Sequence, residues 1–155
     1  MIKFEKVSKN EWVKSSNKEN IYDSIKLPER ATIGSAGYDF FSPFSFDLNI
    51  GETIIIPTGI RCKMDTNVVL MIYLRSSLGF KYQAQLDNGT GIIDSDYYNA
   101  ENEGHIMLKI TNRGNKTLTI KAQDRLCQGL FMNYLTTDND NVNIIRKGGI
   151  GSTGR

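Results

Sequence analysis

Val68-Val-Leu-Met-Ile-Tyr-Leu74, followed at once by Arg75-Ser-Ser-Leu-Gly79, is the stretch on which the fold turns. It is the longest apolar run in the chain. It falls far short of the ~20 residues of a membrane-spanning helix and suits a buried strand. Short apolar or alternating runs recur on both sides of it, at 44–48, 53–56, 59–64, 105–111, 117–120 and 126–134. Asn49 to Glu52, Pro57, Asp65 to Asn67, Asn112 to Asn115 and 136–141 separate them, rich in residues that tolerate turn conformations. Residues 2–7 alternate like a half-buried strand, whereas 8–30 are polar and irregular, with Trp12, Ile21 and Tyr22 as anchors and room for one helical turn. Many short strands and almost no helical period predict an all-β sandwich, jelly roll or barrel.

A chain of 155 residues with no internal repeat or linker reads as one domain. Its net charge of +2 offers no basic field, which argues against nucleic acid as a partner. No run is long enough for a membrane span, and Met1 to Ser8 lacks a signal-peptide core, so an intracellular, cytoplasmic location is expected. Cys62 and Cys127 lie far apart and read as free core thiols in a reducing compartment. One histidine and two isolated cysteines make a zinc site a poor fit; a metal here would be hard, oxygen-held and brought in with phosphate.

Five stretches carry the chemistry. Gly34-Ser-Ala-Gly-Tyr-Asp39 combines small residues, which allow close backbone approach, with an acid entering a strand. Alone it reads as a turn with a solvated aspartate. Arg75, Ser76 and Ser77 place a guanidinium and two hydroxyls at the mouth of the buried strand, suited to phosphate. Asn88-Gly-Thr-Gly91 suggests a hairpin or tight bend whose main chain can read a base edge. It leads through Ile92 and Ile93 to Asp94, which can orient a water, and Tyr97, a ring for a flat or ring-shaped ligand. Asp94 and Asp96 would share a face if the strand continues. Within Asp124-Arg-Leu-Cys-Gln128, the first two residues read as an ion pair. Gln128 lies in an apolar strand, where an unsatisfied amide is costly, so it should reach a partner or ligand. The tail, Arg146-Lys-Gly-Gly-Ile-Gly-Ser-Thr-Gly-Arg155, can converge N–H groups, hydroxyls and cations on an anion, but lacks the P-loop ending.

Taken in order and with their spacing, these five stretches resemble the five motifs of the trimeric, all-β deoxyuridine triphosphatases (dUTP diphosphatases), from about Leu27 to Arg155. The resemblance implies a jelly-roll-like subunit of β-clip type. It also implies a homotrimer with shared active sites and an arm, 146–155, closing a site formed by other subunits. The implied reaction cuts dUTP into dUMP and pyrophosphate with Mg2+ on the triphosphate, limiting uracil in DNA and supplying dUMP for dTMP synthesis. Asp94 matches the acid that activates water and meets the sugar 3′-hydroxyl, and Tyr97 the ring that leaves no room for a 2′-hydroxyl. Asn88 and Gly91 match the uracil-reading bend. Arg75, Ser76, Ser77, Gln128, Arg146, Ser152 and Thr153 match phosphate ligands, and Asp39 the acid near the metal's water shell.

Some positions depart from the family pattern. Ile150 stands where the arm usually carries a base-stacking phenylalanine, and Tyr98 is the first candidate to replace that ring at the uracil. Residues 99–103 lengthen the connection after Tyr98 and are expected to reshape the site rim or a subunit contact. Leu74 and Gln123 replace the usual proline and glycine, for which local backbone adjustment is expected. Two rival readings accompany the resemblance. One is a dCTP deaminase relative; the other is a nucleotide-bound regulatory protein acting on a protein partner, with 99–103 as its surface.

Overall fold

A computed structural model describes residues 1–150. The strands are β1 Lys3–Lys6, β2 Glu29–Arg30, β3 Tyr38–Phe41, β4 Phe46–Leu48, β5 Thr53–Pro57 and β6 Ile60–Lys63, then β7 Val68–Leu74, β8 Ala84–Leu86, β9 Gly91–Ile93, β10 Met107–Asn112, β11 Leu118–Ile120 and β12 Arg125–Asn133. All their pairings are antiparallel. The largest sheet runs β2-β3-β12-β7-β9, a second β5-β10-β8, and two ribbons pair β1 with β6 and β4 with β11. This is the all-β class that the strand spacing predicts, in the jelly-roll-like form that the resemblance implies.

The run that opened the argument, β7, alternates buried and half-buried positions and lies between β12 and β9. Leu70 and Ile72 are fully buried against Phe40 of β3 and Leu126 and Cys127 of β12 in the common core. Phe4 of β1 packs edge-on against Phe40, with ring centroids 5.5 Å apart, and tilts against Tyr38 and Phe131. Each fully buried side chain of this size contributes on the order of 1.5–3 kcal/mol. Cys62 and Cys127 are free and buried, and burial pushes the Cys62 thiol up to about 12.

Residues 8–30 are more ordered than one helical turn. Helix α1, Lys9–Ser16, starts at Ser8, whose hydroxyl accepts from the Glu11 N–H at 3.1 Å. A 3-10 turn covers Glu19–Ser24. Trp12 drives this docking: it is fully buried, and its indole N–H donates to the Lys18 carbonyl at 2.7 Å. The helix shows little apolar period because one large ring anchors it.

The stretch after β7 is also helical. Arg75 is the N-cap of α2, Ser76–Tyr82, so the serines at the mouth of the strand lie in a helix's first turn. The bend at 88–91 is tight, but it is no hairpin: β8 pairs with β10 and β9 with β7, so it steps between two sheets. At Gln123 the chain keeps the left-handed conformation, φ 72°, that suits the glycine usual there. The glutamine is tied down by its side chain, which donates to the Ser24 carbonyl at 3.1 Å.

Candidate functional site

Strand register builds one half of the site. Gln128 of β12 pairs with Tyr73 of β7 on one side and Asp39 of β3 on the other. The end of β7 delivers Arg75, and α2 begins with Ser76 and Ser77. These residues line a cleft of about 470 Å³ with Gly37 and Tyr73. Asp39 is buried between two guanidiniums, Arg125 Nε at 3.2 Å and Arg75 Nε at 3.5 Å. The expected pairing of Arg125 with Asp124 is therefore corrected. Asp124 instead accepts from the Lys121 N–H at 2.8 Å, because β12 turns Arg125 toward β3. Gly37 permits the close approach expected of its stretch: a Cβ there would lie 2.7 Å from Gln128 Oε1. The polar ends of Arg75, Gln128 and the serines share one open face, fit for an anion.

The other half is a separate cavity of about 440 Å³, lined by Asn88, Gly91, Asp94, Tyr97, Arg146 and Ile150 over an apolar floor that includes Ile72 and Leu108. Strand β9 ends at Ile93, and Asp94 caps a 3-10 turn, Ser95–Asn99. The strand does not continue as expected, yet both carboxylates converge on one cation. Arg146 donates through Nη2 to Asp94 Oδ2 at 2.6 Å and through Nε to Asp96 Oδ1 at 2.8 Å. Tyr97 is buried, its hydroxyl donating to the His105 carbonyl at 2.8 Å. Burial pushes that phenol up from its ordinary range, so it stays protonated.

Tyr98 does not join this cavity. Its hydroxyl donates to Glu5 Oε2 at 2.5 Å, and the Arg61 guanidinium covers its ring at 3.8 Å. Successive positions of the 3-10 turn point to different sides, and β1 and β6 claim Tyr98, so the expectation that it replaces the arm's ring at this cavity is corrected. Glu5, bonded to Lys3 and then to Tyr98, is held down at about 2. Ser152 and Thr153 lie outside the described residues. Sequence reasoning missed Tyr73 in the cleft and Asn102, whose Nδ2 donates to the Tyr97 hydroxyl at 2.8 Å. Tyr73 was legible from its alternation with Ile72 in β7; nothing in the local pattern marks Asn102.

The two halves share no lining residue. Ile93 pairs with Leu70, which sets Asp94 beside Val69, whereas Arg75 follows the opposite end of β7. Six residues separate those ends (75 − 69), about 20 Å at ~3.3 Å per residue.

A jelly-roll-like fold with a cleft suited to an anion and an acid-bearing cavity holding one buried ring has the chemistry to take a phosphorylated ring ligand. The dUTPase family model matches residues 23–154. The deoxyuridine 5′-triphosphate nucleotidohydrolase of Lactococcus lactis subsp. lactis is 40% identical over 133 residues, covering 84% of this chain and 89% of that protein. That of Tolumonas auensis is 37% identical over 143 residues, covering 87% and 91%. The crystal structure of the Streptococcus mutans dUTPase superposes with a TM-score of 0.70 at 34% identity, covering 88% of this chain and 98% of that one. At the level of fold, a point mutant of the dUTPase from phage phi11 of S. aureus, described with a structural Mg(II) ion, superposes at 0.68 with 20% identity, covering 93% and 97%. The chain belongs to the dUTPase family.

Proposed function

We propose that this protein hydrolyses dUTP to dUMP and pyrophosphate by in-line attack of water on the α-phosphorus. The observation that carries the reading is the convergence of Asp94, Tyr97 and the bend at Asn88 on one cavity. Asp94, half-exposed at the end of β9, takes a proton from the attacking water and meets the sugar 3′-hydroxyl. The Tyr97 ring, fixed through its hydroxyl, fills the space of a ribose 2′-hydroxyl. Main-chain groups at Asn88 and Gly91 read uracil, and Ile150 covers the base from the arm. Arg75, Ser76, Ser77, Gln128 and Arg146 bind phosphate oxygens, with Ser152 and Thr153 of the arm. Turning the Arg146 guanidinium from Asp94 to phosphate would free that carboxylate for water.

The spacing of about 20 Å along β7 supports a shared site. A triphosphate whose α-phosphorus faces Asp94 of one copy takes Arg75 and Gln128 from another, as in a homotrimer whose arms, 146–155, close the sites. Among the described residues no three acidic, histidine or cysteine side chains cluster to cage a metal. Two guanidiniums already offset the charge of Asp39, so it would meet a magnesium ion only through the ion's water shell, with the triphosphate oxygens as the direct ligands. When bound, the ion supplies positive charge to the phosphate oxygens. No described helix is long and apolar enough to cross a membrane. Two free, buried thiols fit a reducing, intracellular site of action. Neither the deaminase nor the regulatory reading has an observation of its own.

The test is pyrophosphate release from dUTP beside dCTP, dTTP and UTP, with Asp94→Asn as control. Release from dUTP alone, lost in the variant, is expected. Bound but uncleaved dUTP would overturn the reading.

A further inference from the structure

The segment 99–103 lies where the arm meets the sugar-side ring, and Asn102 touches both. Its Nδ2 donates to the Tyr97 hydroxyl at 2.8 Å, while that hydroxyl donates to the His105 carbonyl at 2.8 Å. The Tyr97 oxygen is thus held from two directions, which fixes the tilt of the ring. On its other face the amide meets the arm. A Cβ built on Gly149 would lie 3.1 Å from Asn102 Cγ, 3.1 Å from Nδ2 and 3.2 Å from Oδ1. Near-equal distances place that Cβ position over the Asn102 amide, so any side chain at 149 would crowd it. The neighbouring Glu101 N–H donates to the Lys147 carbonyl at 3.1 Å, anchoring the same contact. Asn102 Oδ1 is also the one buried side-chain oxygen or nitrogen without a partner among the described residues. An unpaired buried oxygen is costly, so stability alone does not account for an asparagine here.

We propose that Asn102 is a positioning residue that couples sugar selection by Tyr97 to seating of the arm. The inference rests on the reading of the cavity as a deoxyuridine nucleotide site. A ring that excludes a 2′-hydroxyl by shape discriminates only as well as it is held still. Asn102 supplies one of its two tethers, and the arm passes over that tether at Gly149, where there is little room for a side chain. Nucleotide that orders Tyr97 then favours the closed arm, and a closed arm stiffens Tyr97.

The experiment measures dUMP and UMP binding by titration calorimetry on the full chain, in the wild type, Asn102→Ala, Asn102→Asp, Tyr97→Phe and the double variant Asn102→Ala/Tyr97→Phe. The ratio of the two affinities is the readout, which a purely structural role would leave unmoved. Losing one hydrogen bond should lower the dUMP preference roughly 3- to 10-fold in Asn102→Ala. Asn102→Asp should match it, because a carboxylate of the same shape cannot donate to Tyr97. Tyr97→Phe should lower the ratio too, and adding Asn102→Ala to it should lower it no further. Trypsin should cut after Arg146 and Lys147 faster in Asn102→Ala with dUMP bound than in the wild type with dUMP bound. An unchanged ratio in both Asn102 variants, beside a wild type that prefers dUMP, would overturn this inference alone. So would full additivity of the two single effects. A wild type without preference for dUMP would overturn the nucleotide reading and this inference with it.

Discussion

The guanidinium of Arg146 sits on the carboxylate of Asp94, Nη2 to Oδ2 at 2.6 Å. On the proposed mechanism, the arm's cation occupies the place from which Asp94 would hold the attacking water. Asp94 is about half exposed, so the pair adds little to stability, on the order of 0–1 kcal/mol. A triphosphate offers Arg146 a stronger, less screened partner. Arg146→Ala should therefore raise the Michaelis constant for dUTP about tenfold or more, the worth of one charged hydrogen bond, and leave the melting temperature nearly unchanged. Steady-state kinetics beside a thermal melt check both halves. A large fall in melting temperature would mean that the contact is structural.

Much of this was readable in the chain, and the failures have physical causes. β7 and β12 announce themselves through apolar runs flanked by turn residues, and the order of the five stretches marks the family. Asp94 and Tyr97 reach one cavity as their spacing suggests. Helix α1 hides because a single buried Trp12, rather than an apolar stripe, fixes it. The direction of Tyr98 hides because it depends on Glu5 and Arg61, which are distant in sequence. The partner of Arg125 was misjudged for the same reason: a neighbour in sequence lost to Asp39 across the sheet.

His105, the only histidine, is fully buried, and its Nε2 accepts from the Gly59 N–H at 2.8 Å. That bond leaves the proton on Nδ1, facing Glu11 Oε1 at 3.3 Å. Burial holds its pKa below the ordinary 6.5, against the pull of Glu11 and Glu103. The unfolded chain takes up a proton near pH 6.5 and the folded chain does not, so this contribution to stability is present above that value. It is lost as pH falls below about 6.5 toward the lowered folded value. Urea midpoints should be flat from pH 8 to 6.5 and then decline before the carboxylates titrate. Midpoints that stay constant down to pH 5 would contradict this, as would an imidazole resonance titrating at 6.5 in the folded protein.

Gly104 closes the lengthened segment with φ 70°. A Cβ there would lie 2.7 Å from the Tyr97 carbonyl oxygen and 2.8 Å from the Tyr98 Cα, both backbone atoms that cannot swing aside. Gly104→Ala should cost at least the ~1–3 kcal/mol of a strained backbone. Because the displaced backbone carries Tyr97, dUMP affinity should fall as well. Denaturant unfolding and calorimetry on the same sample test this, and unchanged stability would show that the loop relaxes freely.

Asp39 separates a structural from a metal role. If it only joined Arg75 and Arg125, Asp39→Asn would leave two half-exposed guanidiniums that water can solvate, with a loss of about 1–2 kcal/mol. The dependence of turnover on magnesium would then stay the same. If it also holds the water shell of a triphosphate-bound ion, losing the negative charge weakens that shell. The magnesium concentration for half-maximal dUTP turnover should then rise several-fold, while affinity for dUMP, which lacks the β and γ phosphates, should not change. A magnesium titration of wild type and variant decides between the two. Superimposable curves would confine Asp39 to ordering the two arginines at the phosphate cleft.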